Sequence, residues 1–252
     1  MSESKVALVT GGSRGIGREI VKVLAARGYS VLLTFASQEE EAANVAAAIK
    51  SSGGDAKAFR ANVAEASSAQ AAVRAVLDAW GRVDVLVNNA GTHLPGVSLA
   101  DTPFAEWDRV LRTNLYGPFH LAQAVLPHMR ARKKGNIVNI SSNVTQRFPA
   151  QYGVYTVSKL ALEAFTRILS KEEGPNGIRV HAVAPGPIRT DMLEESLAKM
   201  GRERAEAFLR STPLGRAGEP REIAEVVAFL VSDAASYMTG QVVYVNGGGP
   251  GG

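Results

Sequence analysis

Short apolar runs alternate along the chain with longer stretches whose apolar residues recur every three to four positions. Lys5 to Thr10 is rich in Val, too short for a helix and closed by glycines, which predicts a buried strand. Ser30 to Thr34, Ala56 to Phe59, Val83 to Val87, Gly135 to Ser141, Ile178 to Val183 and Gln241 to Val245 read the same way. Between them lie helical patterns: one ending near Gly28, one opening after Ser37, then Glu65 to Trp80, Phe104 to Arg132, Tyr155 to about Glu173, and Pro220 to Val231. Ser37 with Glu40 three later has the spacing of a capping box. Regular alternation of strand and helix predicts an α/β protein with a Rossmann-type doubly wound parallel β-sheet, about seven strands with helices on both faces. Ligands in such sheets bind at the C-terminal strand ends.

Three departures from that rhythm carry information. Pro118 sits inside the long pattern and cannot donate to the carbonyl of Asn114, so either Asn114 lies at a kink with a free acceptor or two shorter helices meet at Gly117-Pro118. On the helix that starts at Tyr155, the apolar residues Val157, Leu160, Ala161, Leu162, Ala164, Phe165, Ile168 and Leu169 spread wider than one sheet needs. A second buried surface follows, most simply a partner subunit. The segment from about 188 to 214 mixes Met192, Leu193, Leu197, Met200, Phe208 and Leu209 with many charges between Pro187 and Pro213. It reads as a helical flap that covers a substrate.

Composition narrows the class. The 252 residues suffice for one domain, 1–252, with a single sizeable core. There is no Cys, so disulfides, thiolate nucleophiles and Cys-based metal sites are excluded. The four His show no paired spacing, and no metal is expected. The net charge of +4 is spread along the chain, and the one dense basic run, Arg130, Arg132, Lys133 and Lys134, ends a helical pattern, where cations complement the dipole. No nucleic acid is expected. No apolar stretch approaches a membrane span, and MSESKVALVT enters a strand-like run without a secretory leader, so the expected location is the cytoplasm. The terminal NGGGPGG is expected to be loose.

Candidate chemistry clusters at predicted strand ends. Thr10-Gly11-Gly12-Ser13-Arg14-Gly15-Ile16-Gly17 follows the first strand and opens a helix, the context of a phosphate-binding loop, although its spacing is GxxxGxG instead of GxGxxG. The second strand ends at Phe35, Ala36 and Ser37, with no carboxylate to bind a ribose 2′-hydroxyl. Arg14 is then available for a 2′-phosphate; its other reading is a solvated charge. The fourth strand runs into Asn88-Asn89-Ala90-Gly91, which suits a backbone lying under a cofactor ring or any tight turn. Tyr155 and Lys159, four apart, share one helix face, and the ammonium is expected to lower the pKa of the phenol. Ser142, at the end of the fifth strand, is placed to polarise a carbonyl. Alone, the Tyr–Lys pair also reads as an exposed pair on an amphipathic helix.

In order, TGGSRGIG at 10 to 17, NNAG at 88 to 91, Asn114, Ser142, YTVSK at 155 to 159 and PGPIRT at 185 to 190 resemble the classical short-chain dehydrogenase/reductase family over essentially the whole chain. The closing GEPREIAEVVAFLVSDAASYMTGQVVYVNGG is similar to its 3-oxoacyl-acyl-carrier-protein-reductase-like branch. The resemblance implies that Tyr155 is the general acid in reduction and the base in oxidation. It implies that Lys159 lowers the pKa of Tyr155 and bonds the nicotinamide ribose, and that Ser142 holds the substrate carbonyl. Asn114 would bind, through its main-chain carbonyl, a water relaying protons to Lys159. Family spacing selects Ser142 over Ser141, and Tyr152 fits the pocket wall better than proton transfer. Cofactor contacts are implied at Gly11, Ser13, Arg14, Gly15, Ile16, Gly17, Ser37, Asn62, Val63, Asn89, Ala90, Gly91, Tyr155, Lys159, Pro185, Gly186, Ile188 and Thr190. Asn62 departs from the commoner Asp.

The expected activity is NADP(H)-dependent reduction of a ketone, aldehyde or 3-oxoacyl thioester, with NADP(H) preferred over NAD(H). The alternatives are an alcohol, sugar or steroid dehydrogenase working oxidatively and a non-catalytic NADP-binding regulator. Substrate contacts are expected at His93, Leu94, Val144, Phe148, Gln151, Tyr152, Met192 and Leu193. An acyl-carrier-protein-bound substrate and a free carbonyl both remain open: Lys133 and its neighbours are considered for docking the acidic carrier, but the second position where a basic residue would be expected is Asn176. The family habit is a homotetramer, with a dimer as the smaller option.

Overall fold

The apolar runs become one fully parallel sheet. In the computed structural model, which describes residues 4–249, its strands are β1 (Val6–Val9), β2 (Ser30–Phe35), β3 (Ala56–Arg60), β4 (Val85–Asn88), β5 (Gly135–Ile140), β6 (Ile178–Pro185) and β7 (Val242–Val245). Their order across the sheet is β3-β2-β1-β4-β5-β6-β7. The chain reverses its direction of travel between β1 and β4, whose register pairs Ala7 with Val85 and Val9 with Val87. Crevices at such reversal points, beyond the C-terminal strand ends, are where doubly wound sheets bind ligands.

Side chains alternate between the faces of a strand, and β1 shows the consequence. Ala7 and Val9 join the core under α1 (Gly15–Ala26), α2 (Glu39–Ser51) and α10 (Pro220–Leu230), whereas Val6 and Leu8 join the core on the other face. That second core is closed by α3 (Ala66–Trp80), α5 (Gly117–Ala131) and α7 (Gly153–Glu173). Both faces of the sheet are covered, which is why its strands read as continuous apolar runs.

The long pattern from 104 to 132 is not one kinked α-helix. It divides into α4 (Phe104–Leu111), a π turn over Arg112–Tyr116, and α5, whose first residue is Gly117 and second Pro118. The π turn widens the backbone by one residue, and the Gly117 N–H reaches back to the Arg112 carbonyl. Proline is thereby placed in a first turn, where its missing N–H costs little. The capping box expected at Ser37 does not form: α2 starts later, with Gln38 as N-cap and no side-chain cap. The first-turn acids Glu39, Glu40 and Glu41 still complement the helix dipole.

A short helix not anticipated from sequence, α6 (Val144–Arg147), follows Ser142, and α7 starts at Gly153, so the Tyr–Lys pair occupies its first two turns. The mixed segment after β6 forms α8 (Asp191–Met200) and α9 (Arg202–Arg210), neither with a buried residue. Of the expected loose tail, Pro250, Gly251 and Gly252 lie outside the described residues, as do Met1, Ser2 and Glu3. Asn246 to Gly249 are tied down instead, with Leu214 N–H donating to the Gly247 carbonyl at 3.1 Å. Among the described residues no helix is long and apolar enough to cross a membrane.

Candidate active site

The glycine loop closes against the end of β4 because no side chain fits there. A Cβ on Gly17 would lie 2.1 Å from the Gly11 carbonyl oxygen and 2.4 Å from Asn89 Nδ2. Asn89 Nδ2 donates to the carbonyls of Thr10 (2.9 Å) and Gly11 (3.0 Å), and Thr10 Oγ1 accepts from the N–H groups of Asn89 and Ala90. The loop is therefore fastened by the β4 end, and Asn89 spends its donors on backbone. At the start of α1, Arg14 provides no side-chain cap and the first turn holds no acid. Its free N–H groups face a ligand site with a favourable dipole, which fits a pyrophosphate.

The cleft over this loop has a volume of about 810 Å³. It is lined by every residue expected at a cofactor, from Gly11 and Ser13 through Ser37, Asn62, Val63, Ala90 and Gly91 to Pro185, Gly186, Ile188 and Thr190. Phe35, Ala36 and Ser37 form its wall at the β2 end, with no carboxylate there. Asn62 lines the cleft, although its side chain donates to Glu65 (2.8 Å) and accepts from Ala64 N–H (3.2 Å), capping the approach to α3. Arg14 is neither a lone solvated charge nor idle: its Nη1 lies 3.0 Å from Asp191 Oδ2, joining the glycine loop to the first turn of α8. Both side chains are more than half exposed, 58% and 66%, so the pair contributes little.

At the other end of the cleft stand Ser142, Tyr155 and Lys159. Ser142 and Tyr155 both line the cleft, and the Ser142 hydroxyl acts to lower the phenol pKa. Lys159 Nζ lies 5.7 Å from the Tyr155 ring centre and donates to the Ile140 carbonyl at 2.7 Å. Burial pushes the Tyr155 pKa up, and the Ser142 hydroxyl only partly offsets it. The sequence-based expectation of a lowered phenol pKa is thus reversed, because loss of water outweighs the neighbours. Burial also pulls the Lys159 ammonium down to about 8, with Glu163 opposing. Asn114 lies behind this group, fully buried and off the cleft wall. Its Oδ1 accepts from Thr92 N–H (2.8 Å), and its Nδ2 donates to the Thr92 carbonyl (2.8 Å) and to Ser158 Oγ (3.0 Å). The amide thus pins the π turn to the β4 exit and to α7.

Of the expected substrate contacts, His93, Val144, Tyr152, Met192 and Leu193 line the cleft, and Leu94, Phe148 and Gln151 do not. Phe148 and Gln151 adopt left-handed backbone conformations (φ 47° and 64°) in the turn that carries α6 into α7. The wall also includes Met200 and Phe208, named in the expected flap, and Thr92, Arg147 and Glu195, which sequence reasoning missed. Arg147 stacks on the Phe208 ring at 5.2 Å, linking α6 to α9 across the cleft. His93 packs edge-on to Tyr155, ring centres 6.1 Å apart, and burial lowers its pKa. The basic run is elsewhere. Lys133 and Lys134 precede β5, at the opposite strand ends from Ser142, while Arg130 pairs with Glu173 and Arg132 with Asp84. Asn176 also bonds Glu173. Docking of an acidic carrier at this chain's own cleft by that run is therefore overturned by the fold.

A family model described as enoyl-(acyl carrier protein) reductase matches residues 11–249. The chain is 41% identical to 3-oxoacyl-[acyl-carrier-protein] reductase FabG of Staphylococcus aureus (strain Mu50 / ATCC 700699), over 98% of this chain and 99% of that protein. Levodione reductase superposes with a TM-score of 0.94 at 35% identity, covering 98% of this chain and 97% of that one. A blue fluorescent protein from a metagenomic library, in complex with NADPH, gives a TM-score of 0.89 at 36% identity, with 98% of each chain covered. The ordered motifs, the sheet order and these likenesses agree: the chain belongs to the short-chain dehydrogenase/reductase family of oxidoreductases, in its 3-oxoacyl-acyl-carrier-protein-reductase-like branch.

Proposed function

We propose that the protein is an NADP(H)-dependent reductase that converts a ketone, aldehyde or 3-oxoacyl thioester to an alcohol, with Tyr155 as general acid. The observation that carries this is the convergence of Ser142, Tyr155 and Lys159 at one end of a cleft whose other end is an uncapped helix N-terminus. The glycine loop, Arg14 and the β4 and β6 exits would hold a nicotinamide cofactor, which would supply the hydride. Ser142 and Tyr155 present two hydroxyls to the substrate oxygen and stabilise negative charge as it develops there. Burial raises the phenol pKa, so Tyr155 holds its proton at neutral pH and has one to give to the substrate oxygen. Lys159, charged below about 8, compensates the phenolate left after proton transfer. The Asn114 backbone carbonyl, which Pro118 cannot serve, is the natural anchor for a water leading towards Lys159.

The absence of an acid at the β2 end, Arg14 on the wall and the NADPH complex of a structural relative support NADP(H) over NAD(H). The helices α8 and α9, held by the Arg14–Asp191 and Arg147–Phe208 contacts, serve as the substrate-covering flap of a single domain. The 3-oxoacyl-[acyl-carrier-protein] reductase relatives support a carrier-bound thioester among the candidate substrates. A cytoplasmic location agrees with a chain without Cys or an apolar spanning helix among its described residues. Phe104 (80% exposed), Phe119 (46%) and Ile168 (58%) leave apolar surface on α4, α5 and α7, which supports a homotetramer or dimer; a monomer by light scattering would overturn that.

The deciding experiment follows loss of NADPH or NADH absorbance with a panel from acetoacetyl thioesters to aldehydes and cyclic ketones. Turnover with NADPH well above NADH is expected. Faster turnover with NADH would overturn the cofactor preference, and tight NADPH binding with no turnover would move the protein to the regulator class.

A further inference from the structure

Glu163 lies on α7, one turn beyond Lys159, and is 4% exposed. It does not line the cleft, and among the described residues no cation lies within ion-pair distance of it. A buried carboxylate without a counter-ion is costly unless hydrogen bonds satisfy it. Here three hydroxyls do so. Oε1 accepts from Ser141 Oγ at 2.7 Å and Thr145 Oγ1 at 2.8 Å, and Oε2 from Tyr244 OH at 3.4 Å.

These hydroxyls surround Ser142. Ser141 precedes it in the chain, and its N–H donates to the Val183 carbonyl at 2.7 Å. Thr145 Oγ1 lies 2.8 Å from the Ser142 carbonyl oxygen as well as 2.8 Å from Glu163. With one proton, Thr145 serves both acceptors by sharing, and its Oγ1 lies 3.1 Å from Tyr244 OH, a contact in which either hydroxyl can donate. The segment 141–145 is thus clamped from α7 and β7 through one carboxylate.

We propose that Glu163 is the positioning residue that holds the Ser142 hydroxyl in register with Tyr155 and Lys159, and that its charge sustains the Lys159 ammonium. This rests on the reading of Ser142, Tyr155 and Lys159 given above. The charge relation follows from position: Glu163 and Lys159 share a face of α7, and the carboxylate favours the charged lysine against its burial. The groups around the pair are accounted for. Tyr155 lies on α7 itself, Tyr244 faces Glu163 from β7, His93 packs on Tyr155 from the β4 exit, and the Ile140 carbonyl of β5 accepts from Lys159. No other cation competes for the carboxylate among the described residues.

The test compares wild type, Glu163→Gln, Ser141→Ala and Tyr155→Phe for kcat, NADPH dissociation constant by fluorescence and the pH dependence of kcat. Glu163→Gln keeps the shape but removes the charge and turns one acceptor into a donor. It is expected to lower kcat about tenfold or more, as a misplaced hydroxyl does, while the dissociation constant stays within about threefold. Its alkaline limb moves to lower pH. Ser141→Ala, which removes one hydroxyl and no charge, lowers kcat by a smaller factor and leaves the limb in place. Wild-type kcat and an unmoved limb in Glu163→Gln, with only thermal stability reduced, would overturn the proposal. Should Glu163→Gln not fold, wild-type kcat in Ser141→Ala would overturn it. If wild type turns over and Tyr155→Phe does not, failure of the Glu163 arm leaves the reductase reading standing. If Tyr155→Phe retains turnover, both fall.

Discussion

Lys159 Nζ donates to the Ile140 carbonyl at 2.7 Å, so the second turn of α7 is fastened to the last residue of β5. Ser142 lies two residues beyond that carbonyl, and Tyr155 one helical turn before the lysine. A single bond thereby sets the distance between the hydroxyl-bearing strand exit and the phenol-bearing helix. It also explains why the lysine is tolerated in a buried position: its ammonium has a carbonyl partner and a carboxylate on the same helix face.

Tyr155→Phe removes the proton to be transferred and leaves the cleft intact. Turnover is expected to fall by about 10²–10⁴-fold or more, with NADPH binding retained. Absorbance assays and fluorescence titration check the two halves separately. Loss of binding alongside turnover would mean that the hydroxyl builds the site instead of reacting in it.

The pH dependence of reduction follows from Lys159. Its pKa is lowered to about 8, so below that pH the ammonium is present and above it the charge is lost. With cofactor and substrate saturating, kcat for reduction is expected to decline as pH rises through about 8. Lys159→Arg, whose charge persists, should abolish that limb while lowering the plateau, because a guanidinium does not reproduce the Ile140 contact. A flat wild-type profile to well above 8 would remove Lys159 from the proton path.

Much of this arrangement was legible in the chain because strands buried on both faces are continuous apolar runs and glycines mark where backbones meet, as Gly17 does against Gly11. What was not legible sits on α7. Its sheet-facing side is polar: Ser158, Lys159, Glu163, Thr166, Ser170 and Glu173 are buried, whereas Val157 and Ile168 are exposed. A polarity pattern assigns such a helix face to water, and only tertiary partners, such as Asn139 for Thr166 and Ser141 for Glu163, reverse it. The π turn was hidden because its five residues are too few for the wider period to stand out from that of an α-helix. The contacts of α8 and α9, Arg14–Asp191 and Arg147–Phe208, join segments far apart in sequence, and no local pattern announces them.

Arg14 offers a test of cofactor choice. Its link to Asp191 is exposed and weak, so the proposed 2′-phosphate would compete for the guanidinium. Arg14→Ala is expected to raise KM for NADPH about tenfold to a hundredfold, the worth of a charged hydrogen bond, and to leave KM for NADH nearly unchanged. Equal effects on the two cofactors would leave Arg14 with its contact to α8 alone.

Gly17→Ala tests the glycine loop. The added Cβ would meet the Gly11 carbonyl at 2.1 Å and Asn89 Nδ2 at 2.4 Å, both held in place by the β1–β4 contact. Neither can retreat without breaking the Asn89 bonds. Loss of NADPH binding with reduced thermal stability is expected, measured by titration and a thermal melt. Full binding would show that the loop closes differently.

His181 on β6 carries a stability prediction independent of catalysis. It is fully buried in the sheet, and burial together with nearby Arg179 pushes its imidazole down to about 4, the backbone near Met238 offsetting little. The folded pKa lies below the ordinary value of 6.5, so the unfolded chain binds the extra proton first as pH falls. Stability from this group is therefore complete above about 6.5, is lost progressively as pH falls, and reaches its floor below about 4. At 1.36 kcal/mol per unit the loss is about 3 kcal/mol. His181→Leu removes the titration and should flatten the denaturant midpoint between pH 6.5 and 4 relative to wild type, whatever its effect at neutral pH. Parallel midpoint curves for the two proteins over that window would show that other groups govern acid unfolding.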